Sequence, residues 1–170
     1  MKNYPAFYEK HTAYLRKHKN AEKVLIALDF IVTILIGLVY LAGLILIAIG
    51  LFGSPLLTLF SVCLPPAITF VVVTLTRMTI LIPRPFIADE PIEPIVKKEK
   101  YSPTFPSRHT ACAFAIGVSL CSLSLWLALP VFILGVALGY LRFVSGFHYP
   151  IDLLGGAGIG ALLGTISFLF

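Results

Sequence analysis

The chain has 170 residues, 58% of them hydrophobic and 12% charged, with a formal net charge of +5 and a mean hydropathy of +0.96. A soluble domain carries about 25% charged residues, so a water-soluble globular chain is excluded. Cys63, Cys112 and Cys121 all lie inside apolar runs, which excludes a disulfide framework or metal-ligand spacing and makes them small packing residues.

Residues 1–23 are basic and dotted with aromatics (Tyr4, Phe7, Tyr8, Tyr14), with Lys2, Lys10, Arg16, Lys17, Lys19 and Lys23 among them. They read either as an interfacial helix on an anionic membrane surface or as a solvated tail that fixes orientation. The rest, 24–170, is expected to form one transmembrane domain. Its first apolar run, Val24–Phe52, is far longer than the roughly 7–15 apolar residues of a signal peptide. It is expected to span the membrane with tilt, Asp29 lying near headgroup depth. Gly53-Ser54-Pro55 makes a turn, and Leu56–Thr76 forms the second span. Residues 77–109 form a polar, proline-rich loop in which Lys97, Lys98, Glu99 and Lys100 read as a solvated stretch. Thr110–Leu127, Pro130–Val144 and Pro150–Phe170 give three further spans. The fold class is therefore all-α, a polytopic bundle of about five transmembrane helices. Gly156, Gly160 and Gly164 put a small residue at every fourth position of the last span, a pattern that lets helices approach closely in lipid.

Ionisable residues near span ends are functional candidates by default, and here they gather at three places. Arg77 ends the second span, with Arg84-Pro85 following; Pro106-Ser107-Arg108-His109 opens the third; Arg142 ends the fourth, and His148 and Asp152 begin the fifth. One crossing per span brings all three places to the same membrane face. The opposite face offers only Gly50–Pro55 and Trp126–Pro130, with no charge.

The residue types suit phosphate chemistry. Arginines offer planar forks of donors to phosphate oxygens. Ser107 and the first N–H groups of the third span make an anion-binding helix N-terminus. Of two histidines, one can attack phosphorus while the other protonates the leaving oxygen. Asp152, four residues beyond His148, can hold that imidazole's tautomer. No cluster has metal-ligand spacing, so the arginines would stabilise charge in a metal's place.

In order and spacing these residues resemble the type 2 phosphatidic acid phosphatase (PAP2) family, relatives of the vanadium haloperoxidases. The family pattern is KxxxxxxRP, PSGH and SRxxxxxHxxxD. Here it reads Arg77, six residues, Arg84-Pro85; then Pro106-Ser107-Arg108-His109; then Arg142, five residues, His148, three residues, Asp152. The resemblance implies a metal-independent membrane phosphatase without cofactor. It would hydrolyse a lipid phosphomonoester or pyrophosphate such as phosphatidic acid, phosphatidylglycerol phosphate or undecaprenyl pyrophosphate. His148 would be the nucleophile that becomes phosphohistidine, oriented by Asp152, and His109 the general acid. Arg77, Arg84, Ser107 and Arg142 would bind the phosphoryl oxygens, with Arg108 as a further phosphate contact.

Three positions depart from the pattern. Arg77 stands for lysine, and Leu141 for the serine before Arg142. Arg108 stands for glycine, where it either crowds the site or adds a contact to a second phosphate. The partners expected are the lipid phosphate substrate and membrane lipids, with no nucleic acid. A lipid phosphotransferase, or a non-catalytic protein that binds phosphate lipids, are the alternatives. The protein belongs in the cell membrane as a multi-pass chain. Five spans put the basic N-terminus on the face that carries the site. The positive-inside rule sends that face to the cytoplasm, whereas six-span family members turn it outward, so the side stays open.

Overall fold

The computed structural model describes residues 3–97 and 102–170. Lys2, Lys98, Glu99 and Lys100, assigned above to the basic segment and the solvated loop, lie outside the described residues. Six α-helices follow in chain order, and no strand occurs among the described residues: α1 (Tyr4–Arg16), α2 (Ala21–Ala48), α3 (Pro55–Thr79), α4 (Arg108–Cys121), α5 (Leu125–Val144) and α6 (Pro150–Gly164). A 3₁₀ turn, Thr165–Leu169, extends α6. Four helices, counting α6 with its extension, are long and apolar enough to cross a membrane. Their large side chains at the surface, among them Phe30, Leu38, Phe70, Ile133 and Leu154, face a solvent as apolar as themselves, which is the arrangement lipid requires.

The third and fourth spans differ in extent from the sequence expectation. α4 stops at Cys121, and α5 starts at Leu125, five residues before Pro130, the side chain of its N-cap Ser124 accepting from the Trp126 N–H at 3.3 Å. Hydropathy through Leu123–Leu127 is unbroken, but a serine N-cap satisfies an otherwise orphan donor and so sets the boundary. Pro130 sits inside α5. With 14 residues, α4 is about 21 Å long, shorter than the hydrocarbon core of about 30 Å. It is the inner helix of the bundle, packed against α3, α5 and α6, and buries Ala111, Ala113, Ala115, Gly117, Ser119 and Leu120.

The glycine stripe on α6 explains how α4 gets there. A Cβ on Gly156 would lie 2.6 Å from the Ser107 carbonyl oxygen, one on Gly160 would overlap the Ala111 carbonyl, and one on Gly164 would lie 2.6 Å from the Val118 Cβ. These contacts advance along both helices together, so α4 and α6 run parallel, backbone against backbone.

Within residues 3–23, α1 packs one side against the rest of the protein. α1 buries Tyr4, Tyr8 and Thr12 against the protein. These tyrosines join Leu25, Ile92, Val96, Leu141, Phe143, Val144 and Phe147 in one apolar cluster. The Tyr8 hydroxyl donates to the Val144 carbonyl at 2.8 Å, and Arg16 donates to the Glu93 carbonyl. Lys97 N–H donates to Glu22 at the start of α2 at 3.2 Å. The described N-terminal part therefore sits on the face where residues 92–97 lie, as the two intervening passages, α2 and α3, require.

Candidate active site

The three charged clusters meet at one end of the bundle. Arg77 ends α3; Ser107 is the N-cap residue of α4; Arg142 lies in the last turn of α5; Asp152 lies in the first turn of α6. The turn between α5 and α6 carries His148. Its tight path depends on Gly146, whose φ of +86° is a left-handed conformation, and where a Cβ would meet the Pro94 Cβ at 2.7 Å. The start of α4 is tied to α6 by the Ser107 N–H, which donates to the Asp152 backbone carbonyl at 3.0 Å.

His148 is 3% exposed and Asp152 fully buried. The sequence reading has Asp152 hold the imidazole directly, but a third residue stands between them. Nδ1 of His148 is 3.5 Å from Asp152 Oδ2, beyond hydrogen-bond length. Buried Thr104 bridges the gap, its Oγ1 2.6 Å from Asp152 Oδ2 and 2.9 Å from His148 Nδ1. A carboxylate only accepts, so the single Thr104 proton goes to Asp152. Oγ1 then accepts from His148 Nδ1–H, which assigns the tautomer and leaves Nε2 bare. Oδ2 also accepts the Tyr149 N–H at 2.8 Å, capping α6. Burial pulls the His148 pKa below its usual 6.5; the Asp152 interaction opposes that, and the Arg84 and Arg77 charges add to it.

Arg77, Arg84 and Arg142 gather at this end of the bundle, and each has hydrogen-bonding partners. Arg77 Nη1 donates to the carbonyls of Thr104 at 3.3 Å and Pro106 at 3.1 Å, and Nη2 donates to the Pro103 carbonyl. Arg84 donates from Nε to the Ser102 carbonyl at 3.0 Å, from Nη1 to the Phe147 carbonyl at 3.1 Å and from Nη2 to Ser102 Oγ at 3.0 Å. Arg77 thus ties the loop that carries Thr104 to the end of α3, and Arg84 clamps that loop onto the turn that carries His148. Burial lowers the Arg84 pKa, with Arg142 and Arg108 adding to the fall and Asp152 opposing it. A guanidinium remains cationic through such shifts. Arg142 pairs with Asp29 of α2, Nε to Oδ1 at 2.7 Å.

The remaining predicted residues stand around the start of α4. Ser107 is fully buried, and its Oγ lies 3.1 Å from Thr110 Oγ1 instead of bonding an N–H of its own helix. Arg108, half-buried, carries its guanidinium 6.0 Å from the centre of the Phe70 ring on α3. It leans on an aromatic face. His109 is exposed. Among the described residues no group of His, Cys, Asp or Glu could hold a metal ion.

Thr104, Ser102 and Asp29 were missed by sequence reasoning. Asp29 did carry a signal, an acid inside an apolar run. Thr104 and Ser102 carried none, being ordinary loop residues in sequence.

Comparisons with known proteins place the chain in a family and a fold. The PAP2 superfamily model matches residues 55–170. The chain is 32% identical over 88 residues to undecaprenyl-diphosphatase BcrC of Bacillus subtilis (strain 168), covering 52% of this chain and 45% of that one. It is 40% identical over 72 residues to the bacitracin transport permease protein BcrC of Bacillus licheniformis, covering 39% and 31%. The match therefore spans less than half the length of either relative. Among solved structures, Aquifex aeolicus LpxE superposes with a TM-score of 0.68 at 22% identity, over 97% of this chain and 94% of that one. The PAP2 type phosphatidylglycerolphosphate phosphatase of Bacillus subtilis gives 0.54 at 18%, over 98% and 94%. These two likenesses extend the common fold to nearly the whole chain. Three linked motifs, one helical fold and the matching family model together make the chain a multi-pass membrane member of the PAP2 superfamily.

Proposed function

We propose that this protein is a lipid phosphatase that removes phosphate from a lipid phosphate or diphosphate through a phosphohistidine intermediate. The observation that carries the reading is the buried chain Asp152–Thr104–His148. It fixes the proton on Nδ1 and presents a neutral imidazole with a bare Nε2 beside several arginines.

Nε2 of His148 attacks phosphorus, forming a P–N bond as the P–O bond to the leaving group breaks. His109, exposed at the start of α4, gives its proton to the departing oxygen. The growing charge on the phosphoryl oxygens is met by the first N–H groups of α4, the Ser107 hydroxyl and the N–H groups that Arg77, Arg84 and Arg142 keep beyond their internal bonds. Water then attacks phosphorus, His109 takes its proton, and the P–N bond breaks to release phosphate. Charge stabilisation in this scheme comes from arginine, so turnover needs no metal.

A site at the head of a lipid-facing bundle suits a substrate whose tail stays in the bilayer. Similarity to a protein named undecaprenyl-diphosphatase favours a lipid diphosphate within that class. Arg108, where the family pattern has glycine, supplies a further cation for the second phosphate. The test is phosphate release by purified protein in detergent with EDTA, wild type against His148→Ala, on phosphatidic acid, phosphatidylglycerol phosphate and undecaprenyl pyrophosphate. Release that survives EDTA and vanishes in the variant supports the mechanism and ranks the lipids. Folded wild type that releases none from any of them overturns it.

A further inference from the structure

Arg142 is gripped from a helix outside all three motifs. Its Nη2 donates to Asp29 Oδ2 at 2.8 Å across 113 residues of sequence. Nε lies 2.7 Å from Oδ1, the two side chains being 8% and 22% exposed. The guanidinium carbon sits 5.8 Å from the centre of the Phe147 ring, and the Phe147 carbonyl is the one that takes Arg84 Nη1. Asp29 therefore holds one edge of a cation that stacks on the residue before His148. A carboxylate within the apolar α2 is costly unless it has a partner and a purpose.

We propose that Asp29 is a positioning residue for Arg142, holding the Nε–Nη2 edge so that Nη1 is presented to the phosphoryl group on His148. The proposal rests on the phosphatase reading above. Arginine's planar fork makes it possible: one edge binds the carboxylate while the remaining N–H groups keep a fixed direction, which a lysine ammonium cannot do. Asp29 also offsets the repulsion that Arg84 and Arg142 exert on each other as buried neighbours. A mere staple between α2 and α5 would affect stability and leave the folded protein's turnover alone.

The test is a double-mutant cycle in detergent. Phosphate release from phosphatidic acid and undecaprenyl pyrophosphate is measured for wild type, Asp29→Asn, Asp29→Glu, Arg142→Gln and Asp29→Asn/Arg142→Gln, with thermal unfolding of each. Asp29→Asn is expected to lose about 10- to 100-fold in kcat/KM, the scale of a small misplacement of a binding group, mostly in kcat. Asp29→Glu should recover part of it, and the double variant should be no slower than Arg142→Gln alone. An Asp29→Asn protein as active as wild type while Arg142→Gln is impaired overturns the proposal, and so do losses that multiply in the double variant. Where Asp29→Asn does not fold, Asp29→Glu carries the same cycle: a few-fold loss in the wild-type background and none beside Arg142→Gln is expected, and any other pattern overturns it. Wild type that releases phosphate from neither of these lipids nor from phosphatidylglycerol phosphate fails the phosphatase reading itself; active wild type with an indifferent Asp29 fails only this inference.

Discussion

Thr104 and Asp152, 48 residues apart in sequence, share a hydrogen bond of 2.6 Å between Oγ1 and Oδ2, and through it the carboxylate reaches an imidazole whose Nδ1 lies 3.5 Å from its own oxygen. A threonine hydroxyl has one proton and two acceptor sites, so it passes direction along the chain without passing charge. Thr104→Val keeps the shape and removes the relay. We expect kcat to fall about 100-fold, the cost of a misdirected reacting group, with thermal stability changed far less. Thr104→Ser, which restores the hydroxyl, should return most of the rate. Phosphate release with all three proteins checks this, and a Thr104→Val protein at wild-type rate counts against the relay.

The acid side of the pH profile follows from the same burial. His148 attacks only as the neutral imidazole, and burial lowers its pKa from 6.5. The rate should hold through pH 6.5 and fall only at more acid pH. The stability has the matching sign: the unfolded chain takes up this proton first, so His148 costs no stability above 6.5. Stability then declines as the pH falls from 6.5 through the folded value. A kcat/KM profile whose acid limb is centred above 6.5 would contradict the assignment.

How far the sequence disclosed this site depends on the range of each signal. Arg77, Arg84, Arg142, His148 and Asp152 were legible because each lies at a fixed offset from a span end, and the topology of a membrane bundle leaves them only one face. That the last span could approach another helix closely was legible in the spacing of Gly156, Gly160 and Gly164, though not that the partner is α4. What stayed hidden depends on side-chain direction. Nothing in the order of residues 77–109 says that Thr104 turns inward, or that Arg77 and Arg84 spend donors on the backbone of their own loop. The end of α4 was hidden for another reason, since Leu123–Leu127 is as apolar as the helix before it and only the small capping contribution of Ser124 decides the boundary.

The parallel packing of α4 and α6 predicts a contrast between two glycines on nearly opposite faces of α6. Gly160→Ala drives a methyl into the Ala111 carbonyl, whereas a Cβ on Gly158 meets nothing within 4 Å. Overpacking of this kind costs about 1–3 kcal/mol. Gly158→Ala should be neutral or mildly stabilising, since alanine is favoured over glycine in a helix by up to about 1 kcal/mol. Thermal unfolding in detergent reads both. Equal midpoints for the two variants would contradict the close approach.

The role proposed for His109 predicts a dependence on the leaving group. An acid helps most where the departing oxygen holds its charge badly. His109→Ala should therefore slow release from phosphatidic acid, whose leaving group is an alkoxide, about 100-fold or more. Loss on p-nitrophenyl phosphate, which leaves as a stabilised phenolate, should be much smaller. Equal losses on the two substrates would remove His109 from the proton-transfer step.

The glycine stripe does more than bring two helices close. Because α4 and α6 run the same way and begin at the same end of the bundle, their two positive poles lie side by side near His148, and like poles repel. Each helix terminus interacts with charge by about 0.3–1 kcal/mol, a conflict built into the resting fold beside a crowd of guanidinium groups. An arriving phosphate dianion is then a counter-ion for the architecture as well as a substrate for the histidine. Inorganic phosphate, which has no tail to hold it, should accordingly raise the unfolding temperature of this protein.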